Sequence, residues 1–131
     1  MTLSTATSHN PRGQQHKPVE IRLNRDDNKL EIDFGGDEQV SITAELLRVE
    51  SPSAEIQGHS PDEKKIIGGR KNVAIMELKP VGNYAIEIKF DDLHDSGIYT
   101  WDYLYELGKN GDAIWAEYLK NLAAAGLKRE A

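Results

Sequence analysis

The chain has 131 residues, with 16 Lys and Arg against 22 Asp and Glu for a formal net charge of -6, and at 14.7 kDa it has room for one domain. The acidic balance argues against a general nucleic-acid binder, which needs surplus cations to meet phosphate. With no cysteine, the composition excludes a disulfide framework, a thiolate zinc site, an iron–sulfur cluster on the chain's own thiolates and a cysteine nucleophile.

Residues 1–18 are rich in Ser, Thr, Asn and Gln and carry His9 and His16. They lack the apolar stretch of a secretory signal and read as a solvated, disordered tail. No run approaches the roughly 18 apolar residues of a membrane span, so no membrane association and a cytoplasmic location are expected. Val19, Ile21 and Leu23 alternate with polar residues, as a half-buried strand does. Asp26, Asp27 and Asn28 form a turn. Leu30, Ile32 and Phe34 alternate again, Gly35-Gly36-Asp37 signals a hairpin, and Val40 and Ile42 begin the return strand. Thr43 is placed to cap a short helix over 44–48.

Residues 51–72 hold Pro52, Gly58, Pro61, Gly68 and Gly69 and read as a long irregular connection. A central strand is expected over 73–78 and a turn at 80–83. Tyr84, Ile86, Ile88 and Phe90 then mark the clearest strand, which Asp91-Asp92 ends. Trp101, Leu104, Tyr105 and Gly108 share one helix face. Ile114, Trp115, Tyr118, Leu119 and Leu122 form a second apolar stripe, with Gly126 at its C-terminal end. Residues 128–131 read as a frayed, charged end. The fold class is therefore α+β, a small, mainly antiparallel sheet with a C-terminal helical segment. A single domain over 19–126 is expected between tails 1–18 and 127–131.

The common catalytic signatures are missing. Gly68-Gly69-Arg70-Lys71-Asn72 lacks the first Gly and the hydroxyl residue of a P-loop. Gly58-His59-Ser60-Pro61-Asp62 fails as a nucleophile elbow at its fifth position. Neither His59 nor His94 opens the H-x-[DE] pattern common in facial-triad oxygenases. Lys64, Lys65, Arg70 and Lys71 form a basic cluster that either meets an anionic partner or is balanced by Asp62 and Glu63. The segment from Asp91 to Trp101 stands out, because it sets His94 among carboxylates ahead of Gly97, Tyr99 and Trp101. Two readings stay open for it. In one, His94 is a metal or polar-ligand position. In the other, His94 and Asp92 fix a strand–helix junction while Tyr99 and Trp101 pack in the core.

Three motifs in order carry a resemblance: Leu47-Arg48 followed by Ser51-Pro52-Ser53-Ala54-Glu55, then Pro80-Val81-Gly82-Asn83-Tyr84-Ala85, then His94-Asp95-Ser96-Gly97-Ile98-Tyr99-Thr100-Trp101. Over roughly residues 19–108 the chain resembles a small bacterial family of unknown function, similar to the N-terminal domain of gamma-butyrobetaine hydroxylase. In the hydroxylase that domain resembles a zinc module, with a C-x-C-x-x-C pattern and a later histidine. The resemblance places those cysteine positions at Ser51, Ser53 and Ile56 and the histidine at His94. Serine hydroxyls are poor zinc ligands and isoleucine is none, so no hydroxylase-type zinc is expected. A weaker site for iron(II), manganese or zinc could use His94 with Asp92, Asp95, Glu50 or Glu55.

The oxygenase barrel of the hydroxylase is a separate domain, so the resemblance implies a detached accessory domain and no enzyme. Similar domains are also fused to Mrp-type ATPases that carry iron–sulfur clusters. The expectation is a non-catalytic accessory or binding domain with a protein partner and no cofactor, acting through the 51–72 loop and the His94 segment. The alternative is a weak iron- or zinc-binding accessory protein linked to iron–sulfur protein assembly. A small enzyme would require a concave pocket around His94.

Overall fold

The computed structural model describes residues 2–4, 16–58, 64–92 and 95–130; His9, His59 and His94 lie outside the described residues. Alternation builds the first sheet. It comprises β1 (Thr2–Ser4), β2 (Glu20–Asn24), β3 (Lys29–Asp33) and β4 (Gln39–Thr43), antiparallel and in that order. Ile21 lies opposite Ile32 and Leu23 opposite Leu30, while Leu30 and Ile32 in turn face Ile42 and Val40. All six side chains are buried, so the registers agree on one core face; a slip of one residue would turn a whole strand's apolar set to solvent. Asn28 and Gly35-Gly36 take the positive φ of their turns, as expected.

Part of the expected tail takes a place in the fold. Thr2–Ser4 pairs with β2. His16 stacks on Tyr105 with ring centroids 3.5 Å apart, and its Nδ1 lies 3.1 Å from Asp102 Oδ1.

The second sheet holds β5 (Ile75–Val81), β6 (Ala85–Phe90) and β7 (Asp95–Thr100), again antiparallel. β6 is the strand expected over 84–90. β5, expected to be central, is an edge strand, and β6 takes the centre; at the edge it runs past the expected end at Leu78 and through Pro80, where a proline costs no ladder hydrogen bond. β7 is a correction: the stretch read as a junction leading into a helix is a strand that sets Tyr99 opposite Ile86. Gly97 and the acidic start of the segment hide its β pattern.

Six consecutive buried residues form α1 (Ala44–Val49), capped by Thr43 Oγ1, which accepts from Leu46 N at 3.1 Å. The expected irregular connection contains α2 (Ala54–Gln57), and Ile66 and Ile67 pack on the core. In α3 (Trp101–Lys109), Trp101, Leu104 and Leu107 are buried. Tyr105, expected on that face, lies to its side against His16. α4 (Gly111–Ala124) buries Tyr118 and Leu122, while Leu119 is 38% exposed. Its end is a Schellman turn, with Gly126 N donating to Ala123 O and Leu127 N to Leu122 O. One apolar cluster joins both sheets with α1, α3 and α4. Among the described residues no helix is long and apolar enough to cross a membrane.

Thr100 caps α3 by accepting from Tyr103 N at 3.2 Å. Thr100→Ala should lower stability by about 1 kcal/mol in urea unfolding, and Thr100→Ser should retain most of it.

Candidate functional site

The site builds from the end of α1. A helix leaves its last carbonyls without intrahelical donors, and two phenols from the other sheet's side supply them. Tyr99 Oη donates to Leu47 O at 2.6 Å and Tyr103 Oη to Glu50 O at 2.5 Å. Burial, with the nearby Glu50 carboxylate second, pushes the Tyr103 phenol far above its usual range, so it stays a donor. These bonds pin the 51–57 segment against β7.

The contact between segment and strand is close. Gly97 has φ +83°, and a Cβ there would lie 3.3 Å from both Cα and N of Ser53. Glycine alone suits that backbone and that gap. The backbone brings the 51–57 segment and β7 together at Ser53 and Gly97. His94 itself is outside the described residues.

The chemistry at the cysteine-equivalent positions is closed. Ser51 is fully buried. Its Oγ donates to Ser53 Oγ at 3.1 Å and accepts from Ser53 N at 3.2 Å. Gln57 Nε2 donates to Ser51 O at 2.8 Å. Ile56 is 2% exposed, and its carbonyl accepts from Lys65 N at 2.7 Å. A zinc of the kind the resemblance implies does not fit these residues: two positions offer neutral hydroxyls bonded to each other, and the third offers hydrocarbon.

Two of the carboxylates named for a weaker site, Glu50 and Asp92, are held by cations. Lys64 Nζ lies 2.6 Å from Glu50 Oε1. Arg48 Nε and Arg70 Nε converge on Asp92 Oδ2 at 2.8 and 2.9 Å. Among the described residues no group of three or more His, Asp or Glu is placed to hold a metal. The basic cluster is therefore answered by Glu50, Asp92 and, at 3.9 Å from Lys71, Glu130. Asp62 and Glu63 lie outside the described residues.

Sequence reasoning gave no role to Arg48, Tyr103 or Glu45. Arg48 and Glu45 are only 4% and 5% exposed. A charged pair inside an otherwise apolar six-residue helix was the available signal, since such residues are almost never buried unless paired.

These features define an α+β domain of two antiparallel sheets whose loop–strand junction is sealed by neutral groups. The chain belongs to the gamma-butyrobetaine hydroxylase-like, N-terminal family, whose model matches residues 21–105. It is similar to two proteins solved in solution by NMR. One is 44% identical, covering 89% of this chain and 92% of that one with a TM-score of 0.77. The other is 41% identical, covering 92% and 90%, also with a TM-score of 0.77. It is also similar to a protein of unknown function of the DUF971 family from Acidithiobacillus ferrooxidans ATCC 23270, solved by crystallography. That protein is 36% identical over 70% of this chain and 91% of that one, with a TM-score of 0.58. No curated protein matches the chain. The family is one of unknown function.

Proposed function

We propose that the chain is a non-catalytic, cytoplasmic binding module whose protein-contact face is the junction of the 51–57 segment with β7. The observation that carries this reading is the junction itself. Residues far apart in sequence form one surface at Ser53 and Gly97, yet its hydroxyls and carbonyls are spent on each other. Such a surface is built to hold a shape.

The groups whose pKa the fold moves are carried away from acid–base work. A general acid or base works best with a pKa near the operating pH. Every resolved shift among the described residues runs the other way. Tyr103 and Tyr118 are pushed up by burial, the latter to about 12. The hydrogen bond between Lys109 and Glu38 raises the former and lowers the latter.

Two measurements on untagged, full-length protein test the reading. Elemental analysis should find zinc and iron well below one equivalent, and titration with either metal should not separate wild type from His94→Ala. A stoichiometric metal lost in His94→Ala would overturn the metal-free module in favour of the metal-bearing accessory protein. Ser53→Arg, with its fold checked by circular dichroism, should lose a partner captured by wild type from the source cells. Gln39→Arg on the first sheet should keep it; equal capture by both variants would place the contact elsewhere.

A further inference from the structure

The C-terminal segment, expected to fray, is seated. The Schellman turn sends Leu127 back across the 68–71 loop, where Gly69 N donates to Lys128 O at 2.8 Å and Lys71 N to Arg129 O at 3.1 Å. Gly68 is shaped for this approach: a Cβ there would run into the Lys128 carbonyl oxygen. The Arg129 side chain, 36% exposed, then lies across Glu45 and Trp115. Its Nε and Nη2 donate to the two oxygens of Glu45 at 3.0 and 2.8 Å. Its guanidinium carbon lies 5.1 Å from the centre of the Trp115 ring. A buried carboxylate set for a two-pronged bond, with an aromatic face beside it, selects a guanidinium over an ammonium.

We infer that the groove formed by Glu45, Trp115 and the 68–71 loop is a recognition site for an extended segment bearing an arginine, filled here in cis by residues 127–130. Two independent features fit that occupant. The loop offers main-chain donors and a missing side chain, which suit any extended backbone. The Glu45–Trp115 pair reads one side chain. Glu45 and residues 68–71 lie within the stretch matched by the family, whereas Trp115 and Arg129 lie beyond it. Lifting the segment away costs one bidentate bond and two main-chain bonds and leaves Glu45 ready for the same partner atoms. A partner segment with arginine at the matching position competes with Arg129 for the site.

The test uses full-length protein and a synthetic peptide of residues 126–131 as the probe. Amide and Trp115 indole signals are followed by NMR. Arg129→Ala should take up the peptide with shifts at Glu45, Gly69, Lys71 and Trp115. Wild type should bind at least tenfold more weakly, because its own Arg129 holds the site. Arg129→Ala combined with Glu45→Gln should lose the peptide, as should a peptide with glutamine in place of the arginine. Equal binding by wild type and Arg129→Ala, undiminished binding by the double variant, or no uptake at all would each overturn the inference. So would a wild-type dimer that Arg129→Ala dissolves, since the segment would then be exchanged between copies. Should Arg129→Ala fail to fold, Arg129→Lys, which gives up the two-pronged bond, replaces it as the opened form.

Discussion

Asp92→Ala is expected to destabilise the protein by about 3 kcal/mol, read from the urea midpoint at constant slope. The reason is Arg48. Its side chain is 5% exposed, it sits in a helix whose six residues are all buried, and its Nη1 has no hydrogen-bond partner among the described residues. The Asp92 carboxylate at 2.8 Å is what compensates its charge. Breaking a buried pair from one side typically costs about 3–5 kcal/mol, because the other charge is left behind. The Asp92 side chain is 22% exposed, so water repays part of the loss and the lower end applies. Replacing both residues, Arg48→Met with Asp92→Ala, should cost clearly less than the two single changes added together, since no charge is then stranded. If Asp92→Ala costs under about 1 kcal/mol, Arg48 is not held by this pair. Asp92 also sits in the turn after β6 and receives Arg70, so the single variant should loosen the amides of residues 69–73 in hydrogen exchange before those of the first sheet.

Gly108→Ala is the second large effect. A methyl group there would overlap Cβ and both γ carbons of Val40, which is 7% exposed on β4. Helix α3 lies on β4 at a distance that only a missing side chain permits. Alanine would gain about 1 kcal/mol of helix propensity over glycine. Overpacking a filled core costs about 1–3 kcal/mol, and the overlap involves three atoms of a stiff, branched side chain. A net loss of about 2 kcal/mol is expected in urea unfolding. Val40→Ala should cost less in the Gly108→Ala background than in wild type, because it removes two of the overlapping atoms. Stabilisation by Gly108→Ala would show that α3 can lift from β4 at little cost.

These two positions show how unevenly the fold was legible. Gly108 was placed on the inner face of α3 by its spacing from Trp101 and Leu104, and the structure keeps it there. Its reason, contact with a strand more than sixty residues earlier, is not a local property. Asp92 was read as a strand end, and it sits in the turn just after β6; its two arginines come from α1 and a distant loop. β7 went unread because Gly97 and the acids before it weaken the alternation. The pairing that makes it a strand is supplied by β6, and the glycine is there for Ser53. The junction at Ser51, Ser53 and Ile56 was found only through the family resemblance, since neither serine nor isoleucine signals a site alone.

Alternation, turn chemistry and helix caps act between near neighbours, so the sequence by itself determined β2, β3 and β4 of the first sheet, β6, the caps at Thr43 and Gly126 and the α+β class. It also determined, by lacking cysteine, that no thiolate metal site could form. Long-range pairing depends on which surfaces meet, and only the tertiary structure decided it. That level split the strands into two sheets, sealed the serine loop under two tyrosines, buried Arg48 against Asp92 and laid Arg129 across Glu45. Charged residues show this most plainly. A lone arginine or glutamate in a sequence defaults to solvent, and only the approach of its partner across the fold offsets the cost of taking it out of water.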